Sequence, residues 1–310
     1  MRPYVAVEIA LVAAALTMVA GIYFLAVLDR WVGSAVAGAP VRLPAVLIEP
    51  FRSAAGSVLQ QRRTTERPDA HGWAVAPALL FGLAALALVL VPLGPDLVVA
   101  DPATGFVIFS AAIAFVMIAV FLHGWSPNST FALHGAYRYG AQALSFQIPF
   151  LLAMLATALP AQSLSIVDIV ASQESLWNVV RQPMGLPLYL VVGVGVSFWG
   201  PLNLPDAPDL AGGTSVEDGG IGRLLWLTAR AAMLVAIAAM GAAGFLGGWW
   251  GPVLPGPVWV IVKTVVLLIA FVAAGHLLAR IRIERFVLVS WALLIPLALL
   301  NVFVSGAFLL

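Results

Sequence analysis

The sequence predicts an all-α, polytopic membrane protein with about eight transmembrane helices, forming one integral membrane domain over residues 1–310. Three observations predict it. Hydrophobic residues make up 62% of the chain, charged residues only 9%, and mean hydropathy is +1.05; soluble domains carry about a quarter charged residues. Apolar runs long enough to cross roughly 30 Å of hydrocarbon recur along the chain. These runs are too long and too uniformly apolar for barrel strands, so each must satisfy its backbone internally, as a helix.

The predicted spans are 5–28, 72–93, 103–123, 137–159, 186–200, 224–248, 257–279 and 286–308. The fifth is short and glycine-rich. Between the first two lie Arg30, Arg42, Arg52, Arg62, Arg63 and Arg67, and between the last two lie Arg280, Arg282 and Arg285, whereas 94–102 and 249–256 carry no Lys or Arg. The positive-inside rule then places both termini outside, with Arg181 on an outer loop as the main exception. The first span lacks a small-residue cleavage site and is long enough to stay as an anchor. Arginine outnumbers lysine fourteen to one in a chain rich in Ala, Val and Gly, which suggests a GC-rich bacterial genome and a bacterial inner-membrane location. With no cysteine, disulfides, thiolate iron–sulfur ligation and Cys-linked haem are excluded.

The connecting segments carry further signals. Over 43–60, Leu47, Ile48, Phe51, Ala55, Val58 and Leu59 fall at helical spacing, which predicts either an amphipathic helix in the inner interface or a generic juxtamembrane helix, regular from about Pro50. The inner loop 201–223 holds Asp206, Asp209, Glu217 and Asp218; it reads as a solvated loop or as a docking or proton-access surface. Residues 160–185 predict a short helix on the outer face. Asn128-Ser129-Thr130 matches a glycosylation acceptor but falls on an inner loop of a bacterial-looking chain.

Polar groups within apolar spans suggest function. Arg138 and Gln142 share one helix face, Gln147 lies roughly opposite, and Pro149 predicts a kink beside it. Arg230 reads as a snorkelling helix-end residue, and Lys263 allows the same reading. His71, His123, His134 and His276 fit interfacial positions better than a paired-haem site. Gly193-Val194-Gly195 fits close helix packing rather than a dinucleotide loop. No nucleotide-binding, metal-ligand or nucleophile constellation is present, and no nucleic-acid partner is expected.

Several blocks resemble a known family. They are Val99-Ala-Asp101; Gly124-Trp-Ser-x-Asn-Ser followed by Ala132-Leu-x-Gly-Ala-x-Arg138-x-x-Ala-Gln142; Asp168-Ile-Val-x-Ser-Gln173; Trp177-Asn-Val; Gly251-Pro-x-Leu-Pro255; and Lys263-Thr. In this order and over nearly the full length, the chain resembles the H-type membrane subunit of bacterial NADH:quinone oxidoreductase, respiratory complex I, and the related membrane subunits of energy-converting hydrogenases. The resemblance implies an eight-helix protein without a redox centre of its own. Such a protein seats a peripheral arm of hydrophilic iron–sulfur subunits, contacts small and antiporter-like membrane subunits, and forms part of a quinone chamber linked to proton translocation. Quinone would bind at the interface with partner subunits. Arg30, Arg42, Arg52, Asp206, Asp209 and Glu217 are then chamber or arm-docking candidates, and Arg138, Gln142, Gln147 and Lys263 candidates for a proton path.

The chain departs from the family at titratable positions. The family's Ser-Tyr-Glu is Ser145-Phe146-Gln147, its Glu-Arg-Arg after the first span is Leu28-Asp29-Arg30, its Pro-Phe-Asp is Pro201-Leu202-Asn203, and an arginine expected just after the seventh span aligns with Gly275. Three functions follow as alternatives: a quinone-chamber subunit, a membrane anchor of a hydrogenase- or ferredoxin-linked complex without quinone reduction, and a stand-alone transporter. The last expects internal repeats with broken helices, and the sequence shows none.

Overall fold

The computed structural model describes residues 5–40, 42–61, 64–206 and 212–307, and Asp209, Arg62 and Arg63 lie outside them. The described residues are helical, without strands. The long helices are α1 (Val7–Val36), α3 (Ala70–Val89), α4 (Gly105–Trp125), α5 (Thr130–Ala158), α9 (Gly220–Phe245), α10 (Gly256–Leu277) and the composite Ile283–Ala307. Among the described residues, seven helices are therefore long and apolar enough to span a membrane. The shorter elements are α2 (Leu43–Leu59), α6 (Ile166–Ala171), α7 (Asn178–Arg181) and α8 (Gly185–Val196). The composite consists of α11 (Ile283–Val289), a π turn (Ser290–Leu294) and α12 (Ile295–Ala307).

The fifth predicted span, 186–200, corresponds to α8, which ends at Val196. Twelve residues rise only about 18 Å, so α8 is not a full span by itself. The chain leaves the helix because Phe198 (φ +40°) and Gly200 (φ +46°) turn into the left-handed region. A Cβ on Gly200 would lie 2.4 Å from the Gly275 Cα, so this turn packs directly on α10. The carbonyls freed at the end of α8 find donors on neighbours. Tyr139 Oη donates to Val196 at 2.8 Å and Gln142 Nε2 to Gly195 at 2.7 Å.

At the centre is α9, whose residues from Ala232 to Phe245 are all buried; it packs against α1, α3, α8 and α10. A helix apolar on every side belongs in the middle of a bundle. Helix α2 differs from its prediction at the start: Pro44 sits in its first turn and Pro50 is inside it. Its apolar face is open, with Leu47, Ile48, Phe51, Val58 and Leu59 exposed, as an interfacial helix requires. Tyr23 Oη holds it to α1 through the Leu47 carbonyl at 3.0 Å.

Helix α5 runs continuously through Pro149. Proline has no N–H for the carbonyl four residues back, here that of Ser145. The Ser290 hydroxyl of the π turn donates to that carbonyl, so α5 and the composite helix are joined where the proline opens the ladder.

Topology is open to a direct test, because the chain has no native cysteine to give background. Cysteines replacing exposed Thr64, Asp96 and Glu174 report on both sides. The positive-inside expectation is that an impermeant thiol reagent labels positions 96 and 174 in intact cells and leaves 64 unlabelled; labelling at 64 alone reverses the orientation.

Candidate functional site

The arginine-bearing end of the bundle carries a buried polar chain. Its first half centres on Asp206. Thr214 Oγ1 and Ser215 Oγ donate to its Oδ1 at 2.6 and 2.7 Å, Trp226 Nε1 donates to Oδ2 at 3.1 Å, and Arg230 Nη1 lies 3.8 Å from Oδ2. Burial pulls the Asp206 carboxyl pKa up, but Arg230, Thr214, His123 and Ser215 together outweigh it and hold the group below the ordinary carboxylate value. Asp206 is thus an anchored, ionised counter-ion.

Arg230 turns its other donors to the end of α8. Nε reaches the Ser197 carbonyl at 3.3 Å and Nη2 that of Phe198 at 2.5 Å, where the helix terminus is partially negative. The guanidinium also sits 4.9 and 4.8 Å from the Phe198 and Trp199 rings. The snorkelling expectation for Arg230 is therefore corrected: the side chain points inward, is about nine-tenths buried, and faces a carboxylate.

Beside Arg230 opens a cavity of about 720 Å³ between α1, α2, α9 and α10, lined by Tyr23, Asp29, Arg30, Phe51, Trp199 and His276 among others. Its rim is tied by polar side-chain contacts. Arg30 Nη1 lies 3.3 Å from Glu49 Oε1, its Nη2 donates to Ser53 at 2.7 Å, and His276 Nε2 and Asp29 Oδ1 are 2.8 Å apart. Gly275 lies within α10, and a Cβ there would meet Trp199 Nε1 at 2.9 Å. Trp199 occupies the space in which the resemblance expected an arginine.

The second half of the chain is His123 with Asp218. His123 Nε2 and Asp218 Oδ2 are 2.9 Å apart, both side chains are 1% exposed, and Trp73 Nε1 donates to Asp218 Oδ1 at 2.8 Å. His123 stacks on Trp226 with ring centres 3.6 Å apart. His123 lies in the last turn of α4 and is fully buried in protein, whereas His71 and His134 are exposed. Sequence reasoning missed this pair because the two residues come from distant segments and no motif joins them.

The Gly124–Gln142 block explains how these segments meet. Asn128 turns the α4–α5 connection with φ +52° and donates to Glu66 O at 3.2 Å. Ser129 Oγ donates to Glu217 at 2.8 Å. A Cβ on Gly124 would lie 2.6 Å from Ala132 O, and one on Gly135 2.5 Å from Thr214 N and 2.6 Å from Pro205 O. The block's glycines therefore let the acidic loop lie directly on α5.

The sequence-predicted residues divide accordingly. Arg30 and Asp206 belong to the polar end, and Glu217 is bound to the α5 start. Arg42 and Arg52 are exposed at the start and on the side of α2. Arg138 reaches Gly212 O at 3.4 Å, Gln142 caps α8, and Gln147 is half-buried. Lys263 does not join them. Its Nζ donates to Gly248 and Trp250 carbonyls at 2.9 and 2.6 Å and lies 4.1 Å from the Trp177 ring centre, at the opposite end of the bundle. There Gln173 Nε2 also donates to Ala243 O at 2.8 Å, and its Oε1 accepts from Gly247 N and Asn178 N at 3.0 and 3.1 Å. The blocks of the resemblance around Gln173, Trp177 and Lys263 are thus a latch between loops.

A model of the NADH dehydrogenase family matches residues 3–306. The chain belongs to the NADH dehydrogenase family. It is accordingly a complex-I-like multi-pass membrane protein, one subunit of a larger assembly. Among the described residues no group of three or more His, Asp or Glu side chains is placed to hold a metal ion.

Proposed function

We propose that this NADH dehydrogenase family member acts as the H-type membrane anchor of a bacterial complex-I-like oxidoreductase and contributes one wall of its quinone chamber. The observation that carries the reading is the cavity of about 720 Å³ beside α1 and α2. It has an apolar lining suited to an isoprenoid-like tail. It also has a polar inner wall, with Arg230, His276 and Asp29 able to orient a carbonyl-bearing ring. That combination, apolar with a few convergent polar groups, is what a small-molecule site needs. The cavity opens at the end that carries the basic loops and Glu217, where a peripheral iron–sulfur arm would dock and where charge complementarity would guide register. In this reading the chain binds no cofactor of its own; the quinone sits between it and its partners.

Purification in mild detergent tests the assembly. The expected result is co-purification with iron–sulfur-bearing soluble subunits and other membrane subunits. A photoreactive short-chain quinone should then label α1, α2 or α9 of this chain, and Ala231→Trp, which fills the cavity wall, should abolish that labelling while the complex still assembles. A monodisperse functional transporter without iron–sulfur partners would overturn the reading. An intact complex that is not labelled would favour the anchor of a complex that does not reduce quinone.

A further inference from the structure

The proposed function uses only the half of the polar chain that faces the large cavity. His123 and Asp218 are left without a role, although burying a carboxylate and an imidazole side by side is unfavourable unless partners compensate. They also lie on a route. A second cavity of about 340 Å³ is lined by Asp218 together with Gln60, Trp73 and Gly222, and so lies against this residue from the exposed end of α2, with Trp73 between it and the carboxylate. From Asp218 the contacts continue to His123 at 2.9 Å, by stacking to Trp226 at 3.6 Å, from the Trp226 N–H to Asp206 at 3.1 Å, and from Asp206 to Arg230 on the wall of the large cavity. Trp226 presents its face to the imidazole and its edge to the carboxylate, with the two ring planes within 1° of parallel.

We propose that His123 and Asp218 form a proton-binding site, coupled through Trp226 and Asp206 to the charge balance at the wall of the large cavity. The exchange is of one proton at the His123 ring, with the small cavity as the side from which it enters and leaves. Protonated, the ring is a cation between the Asp218 carboxylate and the indole face, a favourable place for one. Signs then alternate along the chain: Asp218 negative, His123 positive, Asp206 negative, Arg230 positive. Deprotonated, the ring no longer gives Asp206 a second positive neighbour beside Arg230, so the hold of Asp206 on Arg230 changes. The other charged groups nearby are engaged or turned away. Glu217 binds Ser129, Arg138 reaches Gly212, Asp69 caps α3, and His71, His134 and Arg223 are exposed. The pair supplies a titratable group near the chamber of a chain that has an amide at position 147. The coupling to a quinone rests on the function proposed above; the proton site does not.

The test uses the purified complex carrying His123→Gln, Asp218→Asn or Trp226→Phe. Histidine is the side chain whose charge changes between about pH 5 and 8. Infrared difference spectra with isotope-labelled histidine, recorded across that range, should show one imidazolium signal that His123→Gln lacks. Asp218→Asn should change that signal, since the carboxylate 2.9 Å from the ring is gone. Trp226→Phe keeps a ring on the imidazole but removes the N–H to Asp206, and should move the signal. With a short-chain quinone, the matching limb of the pH–turnover profile should vanish in His123→Gln and move in Trp226→Phe. Identical histidine spectra in wild type and His123→Gln overturn the proton site. A titrating signal that Trp226→Phe does not move overturns the coupling. A moving signal in a complex that does not reduce quinone leaves the proton site standing and removes the chamber reading instead.

Discussion

Asp206→Asn is expected to prevent stable accumulation of this protein. The substitution leaves the Arg230 guanidinium buried beside a neutral amide, and removing one partner of a buried pair costs about 3–5 kcal/mol. The low end of that range applies, because Arg230 keeps the Ser197 and Phe198 carbonyls and the two aromatic faces, and the pair itself is 3.8 Å apart. The loss is larger than one contact suggests, since the Asp206 carboxylate also gathers Thr214, Ser215 and Trp226 and so closes the loop over α5. Asp206→Glu should retain part of the stability. Arg230→Lys should not, because a compact ammonium cannot reproduce the guanidinium fork that spans the Ser197 and Phe198 carbonyls and the Asp206 carboxylate together. The same carboxylate sets an acid limit. Its pKa is depressed in the fold, so its contribution is fully present above the unfolded value of about 3.9 and is lost as pH falls through the lower folded value. The measurement is the amount of intact complex in native gels of membranes; wild-type amounts in Asp206→Asn would show that Asp206 does not anchor the loop.

Gly135→Ala is the second large effect. An added methyl would lie 2.5 and 2.6 Å from backbone atoms of Thr214 and Pro205, and backbone cannot rotate away as a side chain can. Overpacking of this kind costs about 1–3 kcal/mol, and here it also pushes the acidic loop off α5. Gly140→Ala on the same helix is the control, since its Cβ would meet only the Met117 methyl at an ordinary 3.8 Å. Thermal unfolding of the purified complex should show a lowered midpoint for Gly135→Ala and an unchanged one for Gly140→Ala. Equal midpoints would mean that the loop moves freely over α5.

These two residues show what was legible in the sequence. The spans could be read from hydropathy because lipid penalises any unsatisfied backbone, and α8 was marked as weak by its own length. The Gly124–Gln142 block pointed to the site because its glycines and Asn128 have backbone roles that few residues can fill. Direction was harder. Arg230 at a helix end looks the same in sequence whether it snorkels outward or turns inward; the deciding partner, Asp206, comes from another segment. His123 and Asp218 are the same case, as neither has a local pattern and only tertiary packing makes them a pair. Lys263 had the composition of a site residue, but its two carbonyl partners belong to a loop at the far end.

The brevity of α8 has a consequence for biogenesis. Its twelve residues reach about 18 Å, short of the roughly 30 Å that an inserting segment must cover, and its terminal carbonyls are satisfied by Tyr139, Gln142 and Arg230, side chains of α5 and α9. It therefore settles only once α9 has been made and can close over it. Gly185–Val196 is therefore expected to reach its final packing only after the ribosome has passed Arg230, so that the second half of the polypeptide matures as one packet rather than helix by helix.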